Sequence, residues 1–177
     1  MKKTIYILYS IFFILFSSCD SDDDNNCQGI DCLPPITQTG AGTFGCLVNG
    51  EPFVDNSGNF NCFYQLVDGE YYFGISPNDN VNGFNGLGVG ADMLELNEGL
   101  FEFNTPNNRN AYLIAFCEGN DNAIEVLNSE SNSGSLSIEF FNLSQQIISA
   151  TFEGTLVKDD GTLITITEGR FDSFFTR

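Results

Sequence analysis

The chain has 177 residues with 24 acidic side chains against 6 basic ones, a net charge of −18, no histidine and no tryptophan. Nucleic acid is a poor partner for such a chain, because it must be met by a basic groove that releases counterions. Without histidine, Ser-His and Cys-His nucleophiles are excluded, and a zinc site would have to be built from scattered cysteines alone.

Lys2 and Lys3 precede an apolar run from Ile5 to Phe16, closed by the small residues Ser17 and Ser18 before Cys19. Such a run is too short for a bilayer-spanning helix, which takes roughly 20 residues, and it has the layout of a cleaved secretory signal. The neck Phe16-Ser17-Ser18-Cys19 resembles the bacterial lipobox, in its looser Bacteroidetes form. That likeness implies cleavage after residue 18 and acylation of Cys19, with the membrane as a partner through the acyl chains. Two or three acyl chains hold a protein on a membrane stably where one does not.

Residues Asp20 to Asn26 are too charged and polar to enter a core and read as a solvated tether. An acidic stretch behind the lipidated cysteine is similar to the signal that sends Bacteroidetes lipoproteins to the outer face of the outer membrane. The expected organisation is a signal peptide over 1–18, a lipidated cysteine and polar tether over 19–42, and one all-β domain over 43–177. Loss of Lys2 and Lys3 leaves 4 basic residues against 24 acidic, a mature charge of −20.

Five cysteines remain in an oxidising compartment, so at least one stays free. Cys27 and Cys32 are close enough in sequence to close a small ring. Cys46 with Cys117 is the second expected bridge, because linking an early to a late strand removes much unfolded-state entropy. Cys62 is left as a buried thiol, and sequence spacing leaves other connectivities open.

From residue 43 the sequence is punctuated like a run of hairpins. Phe44–Val48 and Glu51–Val54 flank Asn49-Gly50, which supplies the positive φ of a tight turn, and Pro52 marks an edge strand. Phe60, Cys62, Tyr64 and Leu66 alternate with Asn61, Phe63 and Gln65, and after Asp68-Gly69 the chain returns through Tyr71, Phe73 and Ile75. Leu87–Ala91, Leu94–Leu96, Gly99–Phe103, Ala111–Cys117 and Ala123–Leu127 are further strand candidates. Leu136, Ile138 and Phe140 are expected inward on one strand, with Ile148, Ala150, Phe152 and Leu156 inward on the next. Asp160-Gly161 turns that strand into Ile164 and Ile166, and Gly169 is expected to break the last strand. No apolar stripe has helical spacing, so the expected fold is an antiparallel, hairpin-rich β-sandwich or a flattened meander barrel with little helix.

Leu33-Pro34-Pro35-Ile36-Thr37-Gln38-Thr39-Gly40, running into Thr43-Phe44-Gly45-Cys46-Leu47-Val48-Asn49-Gly50-Glu51, resembles the opening of a Bacteroidetes lipoprotein family of unknown function. Ile147–Glu153 and Ile166–Asp172 are similar to that family's two closing strands. The resemblance implies the same location and fold and the Cys46–Cys117 pair, and it offers no catalytic residue to transfer.

Asn78, Asn80, Asn82 and Gly83 fall at the first, third, fifth and sixth places of an EF-hand-like loop. Their ligands would be neutral, and the twelfth place is Val89 rather than glutamate, so a plain turn is the better reading and no metal or other cofactor is expected. A glycosidase would need two carboxylates facing each other across a cleft, whereas Glu139 and Glu153 lie on the outward faces of their strands and read as solvated, ordinary acids. Phe63, Tyr72 and Phe141 are expected on the polar faces of their strands, where they are core if that face of the sheet is covered, the better reading, and otherwise form a surface for a glycan or an envelope protein. The expected function is therefore a noncatalytic binding or structural module. A barrel carrying a small apolar ligand and a carboxylate-based glycan enzyme are the alternatives.

Overall fold

A computed structural model describes residues 27–55, 58–77, 84–103, 110–118, 124–128 and 134–177. The expected signal peptide, Cys19, the acidic stretch and the candidate calcium residues Asn78, Asn80 and Asn82 lie outside them.

Among the described residues the protein is all-β, in two antiparallel sheets that do not close into a barrel. A 3-10 turn, Gly29–Cys32, precedes β1 (Thr43–Val48), β2 (Glu51–Asp55), β3 (Asn61–Val67), β4 (Glu70–Ser76), β5 (Phe84–Asp92) and β6 (Gly99–Glu102). The chain continues with β7 (Asn110–Glu118), β8 (Ile124–Asn128), β9 (Gly134–Asn142), β10 (Ile147–Val157) and β11 (Leu163–Phe174). A six-stranded sheet runs β2-β1-β11-β10-β9-β6 and a five-stranded sheet runs β3-β4-β5-β7-β8. The turn residues act as their sequence demands: Asn49 and Gly50 both have positive φ (52° and 89°), as do Asp68 and Gly69 (51° and 88°). Pro52 lies on an edge strand, where its missing amide costs no ladder bond.

The inner faces of the two sheets share one core. Phe44, Cys46, Phe53, Leu136, Ile148, Leu156 and Ile166 come from the six-stranded sheet, and Phe73, Ile75, Leu87, Val89 and Leu113 come from the five-stranded one. Burial of such side chains is worth roughly 2 kcal/mol each. The chain end ties the sheets together. After β11, Thr176 crosses to the edge of β3, where it accepts from the Tyr64 amide (2.8 Å) and donates to the Cys62 carbonyl (3.0 Å). That covers an edge that would otherwise be open to pairing.

Several expectations are corrected. A bulge in β9 pairs Phe140 with Ser149 and Ile138 with Ala150, so Glu139 is supernumerary and the alternation inverts after it. Phe141 therefore turns inward, edge-on to Tyr64 (5.1 Å) and stacked with Phe175 (5.6 Å), while Phe140 leaves the inner face. Gly169 does not break β11. The strand runs through a second bulge at Thr167–Glu168 and continues, with Gly169 opposite Phe152. A Cβ on Gly169 would stand 2.5 Å from the Phe152 ring, which is why glycine is there. Leu94–Leu96 forms no strand; Leu96 donates its amide to the buried Tyr64 hydroxyl instead (3.1 Å). Leu66 is 59% exposed because it lies at the tip of the β3–β4 hairpin, where residues 65–69 are all open to solvent.

Cys27 and Cys32 form a disulfide. Cys46 does not bridge to Cys117: it is a free thiol, as is Cys62, and both are buried. The reason is placement: across the core β7, which carries Cys117, meets β6, β9 and β10, whereas Cys46 lies on β1, nearer the other edge of the six-stranded sheet and paired with Phe53.

Residues 33–42 are not a free tether. Leu33 and Pro34 are buried, and residues 37–41 are fastened to Asp172.

Candidate functional site

The outer face of the five-stranded sheet carries two of the three expected surface aromatics. β5 reads Gly86-Leu87-Gly88-Val89-Gly90, so its inner positions are apolar and its outer positions have no side chain. Antiparallel register aligns Phe63, Gly74, Gly90 and Tyr112 across four strands. The two glycines in the middle let the flanking rings lie over them. A Cβ on Gly74 would meet Phe63 Cε1 at 2.6 Å, and one on Gly90 would meet Tyr112 Cζ at 2.5 Å. Both rings are half-buried, as is Tyr72 one step along the sheet. In that next row Gln65 stands opposite Tyr72, and the Tyr112 hydroxyl donates to the Asp92 carboxylate at 3.3 Å. The result is an aromatic floor beside polar groups. Aromatic cover of strand glycines also stabilises the sheet.

Tyr112 was not found by sequence reading. Its signal was the G-x-G-x-G strand, whose bare outer face requires a neighbour's side chain to cover it. Phe141, expected in this group, belongs to the other sheet and faces the core.

The outer face of the six-stranded sheet is polar. There Asp172, 1% exposed, accepts hydrogen bonds from Thr37 Oγ1 (2.6 Å), Ser149 Oγ (2.7 Å), Gly40 N (2.8 Å), Thr39 N (2.9 Å), Ala41 N (3.2 Å) and Thr39 Oγ1 (3.2 Å). Burial pushes its carboxyl upward, but this ring of donors outweighs burial and holds it down to about 2. A carboxylate so saturated is a structural clasp with no capacity left for proton transfer. Glu139 and Glu153 are both exposed on this face and do not oppose each other across a cleft: Glu153 pairs with Ser135, and Thr151 donates to Glu139 at 3.4 Å.

Burial raises the Cys46 and Cys62 thiols to about 12, so neither is poised as a nucleophile. Among the described residues no group of three His, Cys, Asp or Glu side chains could hold a metal, and no helix is long and apolar enough to cross a membrane. Neither protein-family models nor characterised proteins nor solved structures match this chain.

Proposed function

We propose that this chain is a lipoprotein of the bacterial cell envelope, held in the outer membrane by acyl chains on Cys19 and displayed outward, whose β-sandwich is a noncatalytic module that binds glycans. The anchor is supported by the basic start, the short apolar run and the small neck that ends at Cys19, and by an opening and closing sequence similar to a Bacteroidetes lipoprotein family. Outward display is supported by the acidic stretch behind the cysteine. The binding reading rests on the cross-strand row Phe63, Gly74, Gly90 and Tyr112, with Tyr72 and Asp92 beside it. A sugar ring offers a C–H face to an aromatic floor and hydroxyls to neighbouring carboxylate and amide groups.

The test is calorimetric titration of the intact chain, in a zwitterionic detergent, with a panel of soluble glycans. One or more should bind and be recovered uncleaved, and Tyr72→Ala should weaken that binding about tenfold. Binding indifferent to Tyr72→Ala, or the appearance of new reducing ends, would overturn the reading.

A further inference from the structure

The strap that clasps Asp172 covers only part of the outer face of the six-stranded sheet. Pro34 lies over Gly45, its Cδ 2.6 Å from where a Cβ would stand, and Ile36 ends this cover as a 58% exposed wall. Beyond the wall a hollow of about 340 Å³ passes over Ser137, Thr151 and Arg170 to Glu153 and Glu168. A second hollow of about 240 Å³ shares Glu153 and extends over Thr155, Thr165 and Thr167.

Strand register builds this trough. Ser137 pairs with Thr151 and Thr151 with Arg170; Ser135 pairs with Glu153; Thr155 pairs with Thr165. The hydroxyl pairs Ser137–Thr151 and Thr155–Thr165 therefore stand at strand spacing, roughly 4.8 Å, and a hydroxyl can both donate and accept, although that of Thr151 already donates to Glu139 and is left to accept. The bulge at Thr167–Glu168 turns Glu168 back onto Arg170, whose guanidinium it holds at 3.1 Å with the Arg170 side chain only 13% exposed.

The chemistry narrows the occupant. Two carboxylates outnumber the one guanidinium, which is already paired, in a chain of net charge −18, so an anionic ligand is repelled. Phe152 contributes no ring here, because its side chain is packed in the core against Phe44 and Phe171, so a protein partner finds no aromatic anchor in the trough. An elongated run of uncharged hydroxyls with an apolar rim suits a chain of uncharged polyols. We propose that this trough is a second binding site, for a linear neutral glycan, independent of the aromatic floor on the opposite sheet.

The intact chain is titrated with short linear oligomers of glucose, mannose, galactose and N-acetylglucosamine, and with a uronic acid oligomer. Thr151→Val with Thr167→Val removes two hydroxyls while keeping branched strand residues, and should weaken a neutral oligomer about tenfold. Glu153→Gln, at an exposed position, should weaken the same oligomer and decides the matter if the double variant does not fold. Tyr72→Ala should leave that oligomer within about twofold. The trough proposal falls if no neutral oligomer binds, if the trough variants bind like the parent, or if the uronic acid oligomer binds tighter. An oligomer lost in Tyr72→Ala but kept in the trough variants would also sink it while sparing the aromatic floor. Indifference of every titration to Tyr72→Ala would count against the floor alone.

Discussion

The Thr37 hydroxyl donates to Oδ2 of Asp172 across 2.6 Å, joining residues 135 positions apart. Around the same carboxylate the amides of Thr39, Gly40 and Ala41 converge, so the segment before β1 is fastened near the end of the last strand. Asp172→Asn keeps the shape but sets an NH2 group against donors and leaves several of them unsatisfied. It should cost about 2–4 kcal/mol. Urea unfolding followed by circular dichroism measures this, and a loss under half a kcal/mol would contradict the clasp.

The clasp also fixes a pH dependence. Burial alone would raise the Asp172 carboxyl, yet donors from Thr37, Ser149, Thr39 and Gly40 bring it to about 2, below the ordinary 3.8. A group whose folded pKa is depressed contributes fully above its unfolded pKa and loses that contribution as pH falls through the folded one. The stability gap between the parent and Asp172→Asn should therefore be full at pH 5 and shrink by on the order of 2 kcal/mol by pH 2. The other acidic residues act on both proteins and cancel in the difference. A gap that stays constant over that range would refute the assignment.

Hairpins and core were legible because inward positions recur at every second residue in β3, β4 and β10 and Asn49-Gly50 and Asp68-Gly69 carry their own turn chemistry. The bulges in β9 and β11 were not. One extra residue at Glu139, and another at Thr167–Glu168, reverses which neighbours face inward, and no local pattern announces it. That is why Phe141 was expected outside; Gly169 was expected as a break because glycine weakens a strand, and only the pairing shows it seated against Phe152. The clasp was illegible for another reason: Thr37, Thr39 and Asp172 meet only in the folded chain, and a short polar segment such as 36–41 reads as tether until its partner is known. Of the aromatic floor, Phe63 and Tyr72 could be read from alternation, whereas Tyr112 required the strand pairing that sets it over Gly90.

The anchor reading makes its own prediction. Cys19→Ser removes the acylation point, so the protein should leave the membrane fraction for the soluble one. Mass analysis of the parent should find acyl chains on residue 19. In intact cells added protease should degrade the parent, and survival until lysis would contradict outward display.

Cys46 and Cys62 should behave as core methylenes with sulfur. Burial lifts both thiols to about 12, so almost no thiolate exists at neutral pH. Iodoacetamide followed by peptide mapping should label neither position in the native protein and both after denaturation. Fast native labelling of either would show that the strand carrying it opens.

The aromatic floor depends on glycine beneath it, and that dependence can be isolated. A methyl on Gly90 would stand 2.5 Å from Tyr112 Cζ and 2.6 Å from its hydroxyl oxygen, closer than any Cβ contact allows, so Gly90→Ala must lift the ring. Lifting it also breaks the 3.3 Å bond to Asp92. Overpacking of this kind costs about 1–3 kcal/mol. In a Tyr112→Ala background the obstructing ring is absent, and the same Gly90→Ala change should cost almost nothing, since alanine is tolerated in strands at least as well as glycine. The interaction energy of the cycle, read from urea unfolding of the four proteins, should then be at least about 1 kcal/mol. Equal penalties in both backgrounds would mean that the ring does not rest on Gly90, and the floor would lose one of its two sides.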